Sequence, residues 1–147
     1  MEIFIVSVCG WAAAQLTKVV IFIIQKKHFD FRILIATGGM PSSHSAIVSG
    51  LATSVAIVDG LDSVAFAIAA IIALIVMFDS AGLRRSVGRQ AVVLNRIIGE
   101  LRERRSISYF EKDLRELMGH STFQVIIGAA FGISVSFIWF LLLSPRS

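Results

Sequence analysis

Charged residues are scarce in this chain. Of its 147 residues, 16% are charged and 56% are hydrophobic, whereas a soluble domain carries about a quarter charged residues. This composition excludes an ordinary soluble domain and indicates an integral membrane protein. The length allows one compact domain, so we expect residues 1–147 to form a single integral membrane domain.

Cysteine is nearly absent as well. The one cysteine, Cys9, lies inside an apolar run, which excludes an internal disulfide and a thiolate metal cluster and favours packing as a small apolar residue. Basic residues are missing before the first apolar run, where Glu2 stands and no cleavage site is recognisable. We therefore expect Ile3–Ile24 to be a retained span and not a signal peptide.

Four apolar stretches approach the roughly 20 residues that a membrane-spanning helix needs. They are Ile3–Ile24, Ser45–Val58, Val64–Phe78 and Phe123–Leu143. The second is short and reaches full length only if the preceding Pro-Ser-Ser-His residues enter the membrane too. The sequence predicts an all-α, polytopic membrane helical bundle with about four transmembrane spans.

The links between these stretches differ sharply in charge. Lys26, Lys27 and Arg32 follow the first stretch, an Asp-Gly turn joins the second to the third, and nine Lys and Arg residues lie from Arg84 to Arg115. By the positive-inside rule both basic links are cytoplasmic. We expect a location in a bacterial inner membrane or its equivalent, with both termini outside.

The long basic link carries apolar residues at helical spacing. They are Leu83, Val87, Ala91, Leu94, Ile98 and Leu101. This spacing predicts a cytoplasmic amphipathic helix suited to an anionic lipid surface, with a shorter second one at Phe110, Leu114 and Leu117. A solvated charged linker is the alternative. Membrane lipids are the expected partners, and the sequence shows no nucleic-acid motif.

Several polar side chains, which are unfavourable inside a membrane, lie at the cytoplasmic face of this predicted bundle. They are Gln15 and Lys18 in the first span, His44 at the start of the second, Asp79, Arg84 and Arg85 at the end of the third, and His120 before the fourth. Each has a structural interpretation by itself, such as a snorkelling lysine or a helix cap. Their convergence at one depth favours a functional site, because intramembrane ionisable groups are functional candidates by default.

Residues 38–46, GGMPSSHSA, have the composition of a phosphate site. Gly39 allows unusual backbone geometry, Pro41 suits a first helical turn, and N–H groups near Ser42 and Ser43 stand at the positive end of a helix dipole. Lysine and arginine donors match phosphate oxygens, and two histidines can divide the nucleophile and general-acid roles. The set predicts phosphoryl transfer without metal or cofactor. Zinc or iron on two histidines and an aspartate is the weaker alternative, which nearby cations oppose.

Three blocks of the sequence resemble the type 2 phosphatidic acid phosphatase superfamily, which includes the vanadium haloperoxidases. They are GGMPSSHSA, FDSAGLRRSVGRQAVVLN and LMGHSTFQVIIGAAFG, and with AAAQLTK they are similar to the divergent bacterial and plant branch. The resemblance implies a membrane phosphatase in which His120 is the nucleophile, His44 the general acid and Lys18 a phosphate-binding lysine.

The sequence departs from the superfamily pattern around these residues. Ser43 replaces a glycine, and Gln124 replaces the aspartate that would orient the nucleophilic histidine. The arginine expected a few residues before the nucleophile is instead Arg84 or Arg85, more than thirty residues upstream. Gln124 can still hold the histidine tautomer by hydrogen bonding, and Asp79 is a candidate for the missing carboxylate.

Two hypotheses of function follow. The first is a metal-independent phosphatase that acts on lipid mono- or diphosphates through a phosphohistidine. The second, favoured by Gln124, is a catalytically weak or inactive membrane module that binds anionic lipid or a protein partner. Gly128, Ala129 and Gly132 form a small-residue face for close helix packing, within one chain or in a homodimer. A transporter ranks third, because the polar residues cluster at one membrane face.

Overall fold

The computed structural model describes residues 1–26, 39–105 and 120–143, apart from the side chains of residues 83–85 and 101–105. Its helices are α1 (Glu2–Lys26), α2 (Ser43–Asp59), α3 (Val64–Ala81), α4 (Leu83–Arg105) and α5 (Thr122–Ile138), the last extended by a π-helical turn, Trp139–Leu143. These elements confirm the predicted all-α membrane bundle.

Serine residues begin three of the helices, because a serine side chain can accept one of the N–H bonds that a helix start leaves unpaired. Ser42 caps α2, Ser63 caps α3 and Ser121 caps α5, and each accepts from the N–H three residues further on. Pro41 therefore stands just before the cap of α2 and not in its first turn, where the sequence had placed it.

Helix α2 is the centre of the bundle and packs against α1, α3 and α5. Four contacts show how the helices run relative to one another. Between α2 and α5 they are Ser42–Gln124 and Ser54–Ser136. Between α1 and the segment of α2 they are Lys18–Gly39 and Ser7–Gly50. Helices α2 and α5 are thus parallel, and α1 is antiparallel to both. As a result, the starts of α2 and α5 and the second half of α1 meet at one end of the bundle.

Three helical segments of the described chain are long and apolar enough to cross a membrane by length and composition: Glu2–Gln25, Val64–Glu100 and Thr122–Leu143. Helix α2 has 17 residues, or roughly 25 Å at 1.5 Å per residue, against roughly 30 Å of hydrocarbon. The second predicted span, Ser45–Val58, is therefore a helix that is shorter than the hydrocarbon layer is thick. It is buried among the other helices and runs beside α5. Its small polar residues face other helices and lower its hydropathy.

Glycines on α5 let the backbones of α2 and α5 approach closely. Gly128 lies against the backbone of Ser42, and Gly132 lies against the carbonyl of Ala46. A Cβ atom at either glycine would overlap a carbonyl oxygen of α2. The predicted small-residue face of α5 is thus used within one chain.

Buried hydroxyls bond across the same contact. Ser49 Oγ donates to the carbonyl of Ala129 at 3.0 Å, and Ser136 Oγ donates to the carbonyl of Gly50 at 3.0 Å. Ser54 Oγ donates to Ser136 Oγ at 3.2 Å. In a bilayer no hydrophobic force drives helices together, so close packing and interhelical hydrogen bonds stabilise this pair.

Helix α3 leads into α4 with only Gly82 between them. The Gly82 N–H donates to Phe78 O at 2.9 Å and the Ser86 N–H donates to Gly82 O at 3.0 Å, so helical hydrogen bonding continues through the junction. Helix α3 therefore ends at Ala81 and not at Phe78. The helix predicted in the basic link is present as α4, while the second one, around Phe110, lies outside the described residues.

Candidate functional site

Two histidines from distant parts of the sequence meet at the end of the bundle. His44 lies in the first turn of α2, and His120 lies two residues before α5. Their ring centroids are 5.9 Å apart and their ring planes are inclined by 62°. The two helix starts are tied together because the Ser42 N–H donates to the carbonyl of Gln124 at 3.2 Å.

Lys18 approaches this pair from α1. Its side chain is buried, and its Nζ donates to Gln15 Oε1 at 3.1 Å. Its aliphatic stem lies against Gly39, whose φ of +86° is a conformation that glycine adopts without strain. The structure therefore brings together Gln15, Lys18 and Gly39 with the histidines.

His120 is 2% exposed, and neither of its ring nitrogens has a hydrogen-bond partner of good geometry among the described residues. Burial lowers the pKa of the His120 imidazole, and the charges of Lys18 and His44 lower it further. The nearby Gln124 side chain and Gly39 carbonyl act in the opposite direction without reversing the shift. His120 is thus held neutral near pH 7, with a lone pair free on one ring nitrogen.

The pKa of His120 predicts how stability depends on pH. The folded protein disfavours the imidazolium, so stabilisation from neutral His120 is complete above the ordinary pKa of 6.5 and is lost as pH falls below it. We expect NMR titration to give His120 a midpoint below 6.5. We also expect melting temperatures from pH 8 to pH 5 to fall less steeply in His120→Gln than in the wild type. A midpoint above 6.5 would contradict the burial argument.

Gln124 caps α5 and also lies beside His120, where its side chain acts to raise the pKa of the imidazole, so its role in orienting His120 stays a prediction. Its Oε1 accepts from the Ser121 N–H at 3.0 Å while its own N–H donates to Ser121 Oγ, a reciprocal pair that caps α5. The role suggested for Asp79, near the end of α3, likewise stays a prediction.

The remaining predicted residues lie at or near the start of α2 and α4. Ser42 is fully buried; its N–H is committed to α5 and its Oγ accepts from the Ser45 hydroxyl at 3.1 Å, so it shapes the site as a helix cap. Ser43, the first residue of α2, is buried beside it. Arg84 and Arg85 lie in the first turn of α4, and their side chains are outside the described residues.

Sequence reasoning did not single out Ser121 or Ser45. The signal for Ser121 was present, because Ser-Thr-Phe-Gln has the serine-to-glutamine spacing of a capping box. For the weaker metal hypothesis, the described residues contain no group of three or more His, Cys, Asp or Glu placed to hold an ion. His44, His120 and Asp79 therefore do not form the ligand set that this alternative required.

The fold and the site define an all-α integral membrane protein in which a histidine pair and a buried lysine meet at one end of the bundle. Residues 1–135 match the family model described as "Divergent PAP2 family". The chain belongs to this family, which confirms the resemblance to the divergent branch of the phosphatidic acid phosphatase superfamily.

A similar protein is the "Uncharacterized membrane protein YuiD" of Bacillus subtilis (strain 168). It is 42% identical to this chain over 134 residues, which cover 85% of each protein. No solved structure matches the chain. The description of this relative as a membrane protein and the three apolar helical segments of the described chain agree on a membrane location.

Proposed function

We propose that this protein is an integral membrane phosphatase that acts on lipid mono- or diphosphates through a phosphohistidine intermediate. The observation that carries the proposal is the pair His44 and His120, 5.9 Å apart between ring centroids at one end of a bundle of membrane helices. Groups this close can act on one phosphorus atom, one from each side of the bond that breaks. Buried Lys18 supplies positive charge beside them.

His120 is the proposed nucleophile, because its lowered pKa keeps a ring nitrogen unprotonated near neutral pH. That nitrogen forms a bond to phosphorus while the bond from phosphorus to the lipid oxygen breaks, and His44 gives its proton to the leaving oxygen. His44 then removes a proton from water, whose oxygen forms a bond to phosphorus while the bond from phosphorus to the His120 nitrogen breaks. Inorganic phosphate leaves, and both histidines return to their starting protonation states.

Positive charge and helix starts stabilise the phosphoryl group during transfer. Lys18, positioned by Gln15, neutralises charge on the phosphoryl oxygens. The starts of α2 and α5 direct the positive ends of two helix dipoles toward the same place. Ser43 and Gly39 at the start of α2, together with Arg84 and Arg85, complete the proposed phosphate-binding set.

The substrate class follows from the depth of the site. Because the histidines lie where two helices of a membrane bundle begin, a bound phosphate is near headgroup level and an attached chain stays in the hydrocarbon. The excess of lysine and arginine in the links at this end favours the cytoplasmic face. We therefore propose hydrolysis of a lipid phosphate from that face.

Phosphate release from a panel of lipid mono- and diphosphates in proteoliposomes tests the proposal. We expect release from at least one member, and a phosphorylated protein whose phosphate is labile in acid and stable in base, as a phosphoramidate bond is. Release from no member, together with no phosphorylated protein, would remove the enzymatic proposal.

A second candidate is a membrane module that binds anionic lipid or a protein partner without turnover. It is favoured by one observation: the Gln124 side-chain oxygen accepts from the Ser121 N–H and so serves the cap of α5, and a neutral amide stabilises an imidazolium less than a carboxylate does. Tight binding of a lipid phosphate in the same panel, with no release, would support this module over the phosphatase.

A further inference from the structure

A half-exposed strip of α2 runs from the histidine pair toward the middle of the membrane. Among residues 43–51, every residue is buried except His44, Ile47 and Leu51, which are half-buried. Spacings of three and four residues place these three side chains on one face of the helix. Leu51 lies roughly 10 Å along the helix from His44, and one leaflet of hydrocarbon is about 15 Å thick. The strip therefore begins at the site and extends through much of one leaflet.

The contacts of α2 indicate which way this strip faces. Ile47 and Leu51 are each two residues from Ser49, whose hydroxyl donates to the carbonyl of Ala129 in α5. Two residues turn an α-helix by about 200°, so the strip lies on the side of α2 that faces away from α5. Helix α1 packs against α2 and α5, and α3 packs mainly against α2, while the described parts of α1 and α3 do not pack extensively against each other. A groove with α2 as its floor is thus left between α1 and α3.

The chemistry of the site decides which molecule fits this groove, and this step rests on the proposed function. His44 gives its proton to the lipid oxygen that leaves phosphorus, so the hydrocarbon chain attached to that oxygen must start beside His44. His44 is also the upper end of the strip, and its ring centroid lies 5.9 Å from that of His120. Below it, Ile47 and Leu51 offer an apolar surface that a hydrocarbon chain can contact.

We propose that the groove between α1 and α3 holds the upper part of one hydrocarbon chain of the lipid phosphate, against Ile47 and Leu51, and so fixes the leaving oxygen at His44. Surrounding lipid is as apolar as these side chains, so the groove adds little affinity. Its effect is on position, because a chain confined between two helices leaves the phosphate fewer orientations at the histidines. Ile47 and Leu51 therefore determine specificity for substrates that carry a chain.

Filling the groove with a larger side chain tests this assignment. Ile47→Trp should lower kcat for a long-chain alkyl phosphate in proteoliposomes about tenfold or more, because small misplacements of reacting groups are costly. Hydrolysis of a water-soluble aryl phosphate, which places no chain in the groove, should fall much less. Leu51→Trp blocks the groove farther down, so it should slow long-chain alkyl phosphates more than short-chain ones that end above Leu51.

Ile71 on α3 supplies the matched control. It is 57% exposed and lies two residues from both Ala69 and Ala73, which are buried, so it faces the opposite side of α3. Ile71→Trp should change the rate on either substrate by about twofold or less, as surface substitutions do. Melting temperatures close to that of the wild type should show that all three variants fold.

A binding measurement without turnover separates the groove from the phosphatase. A long-chain alkyl phosphate with a diazirine in its chain is irradiated in proteoliposomes with the His120→Gln protein, and the labelled residues are identified by mass spectrometry. We expect label at Ile47 and Leu51. Unlabelled alkyl phosphate should remove that label, whereas phosphatidylcholine should not.

The outcomes that would overturn the groove differ from those that would overturn the phosphatase. Equal rates in Ile47→Trp and Ile71→Trp, with phosphate release intact, would remove the groove and leave the phosphatase. Label at residues 47–51, with no phosphate release by the wild type, would remove the phosphatase and keep the groove. Displacement of the label by phosphatidylcholine would assign the groove to ordinary bilayer lipid. A Leu51→Trp protein that slows all chain lengths equally would also overturn the proposal.

Discussion

Replacing His120 by alanine is expected to lower phosphate release from lipid phosphates by about 10³-fold or more, and to abolish phosphorylation of the protein. Alanine cannot form the bond to phosphorus, and water at the same place lacks the activation that a fixed nucleophile has. The measurements are phosphate release in proteoliposomes and recovery of the phosphorylated protein. Wild-type release by this variant would remove His120 as the nucleophile.

His44 should show a different pattern, because a general acid matters most when the leaving group is poor. His44→Gln is expected to slow release from lipid phosphates by about 10²–10⁴-fold. The first turnover on an aryl phosphate, whose leaving oxygen needs no proton, should be affected much less and should leave phosphorylated protein behind, because His44 also activates the water of the second step. His120→Ala should fail on both substrates.

Folding must be separated from chemistry in these variants, since both histidines lie at the contact of α2 and α5. His120→Gln keeps polarity and approximate size, and should melt close to the wild type while remaining inactive. Equal losses in the first-turnover rate on the lipid and aryl substrates in His44→Gln would contradict the general-acid role. Those equal losses with unchanged melting would reassign His44 to phosphate binding.

Replacing Gly132 by alanine is expected to destabilise the bundle by about 3 kcal/mol, at the upper end of overpacking costs. The added Cβ would overlap the carbonyl oxygen of Ala46 and the hydroxyl of Ser49. A backbone carbonyl cannot rotate away, so α5 must move outward and weaken the hydroxyl bonds along the contact. Unfolding in detergent, followed by tryptophan fluorescence, measures the loss.

Gly99 supplies the matched control for this glycine. A Cβ there would meet no atom within 4 Å, and the residue is helical. Gly99→Ala should therefore raise the unfolding free energy slightly, by about 0.5–1 kcal/mol, as alanine does in a helix. If Gly132→Ala unfolded like Gly99→Ala, the α2–α5 contact would not be as close as the structure has it.

The helical elements could be predicted largely from the sequence because bilayers impose strong rules. The apolar stretches beginning at Ile3, Val64 and Phe123 correspond to α1, α3 and α5, and the periodicity after Leu83 corresponds to α4. The boundaries differ by a few residues, since serine caps and the continuous junction at Gly82 decide where helices begin and end.

The middle helix was harder to predict. Ser45–Val58 is too short and too polar to stand out as a span, and in the structure it is the helix that three others surround. Hydropathy is high in segments whose side chains face lipid, whereas most side chains of α2 face other helices. Its serines and glycines are there because close helix contact in a membrane requires small side chains and interhelical hydrogen bonds.

For the candidate site too, the sequence identified the residues and the tertiary structure decided which of them meet. Residue chemistry marked Lys18, His44 and His120 as costly polar groups, and their position relative to the spans placed them at one depth. Depth alone does not bring side chains together. The distance of 5.9 Å between the histidine rings depends on parallel packing of α2 and α5, with the Ser42 N–H bonded to the Gln124 carbonyl.

By itself, the sequence determined that this is an all-α membrane protein, because composition and periodicity are properties of single segments, and its motifs resembled those of the divergent phosphatidic acid phosphatase branch. The tertiary structure alone decided which segments touch. It set the ring of His44 beside that of His120 and bonded the Ser42 N–H to the carbonyl of Gln124. Such outcomes depend on contacts between residues that are dozens of positions apart, where packing and hydrogen-bond geometry leave no local trace.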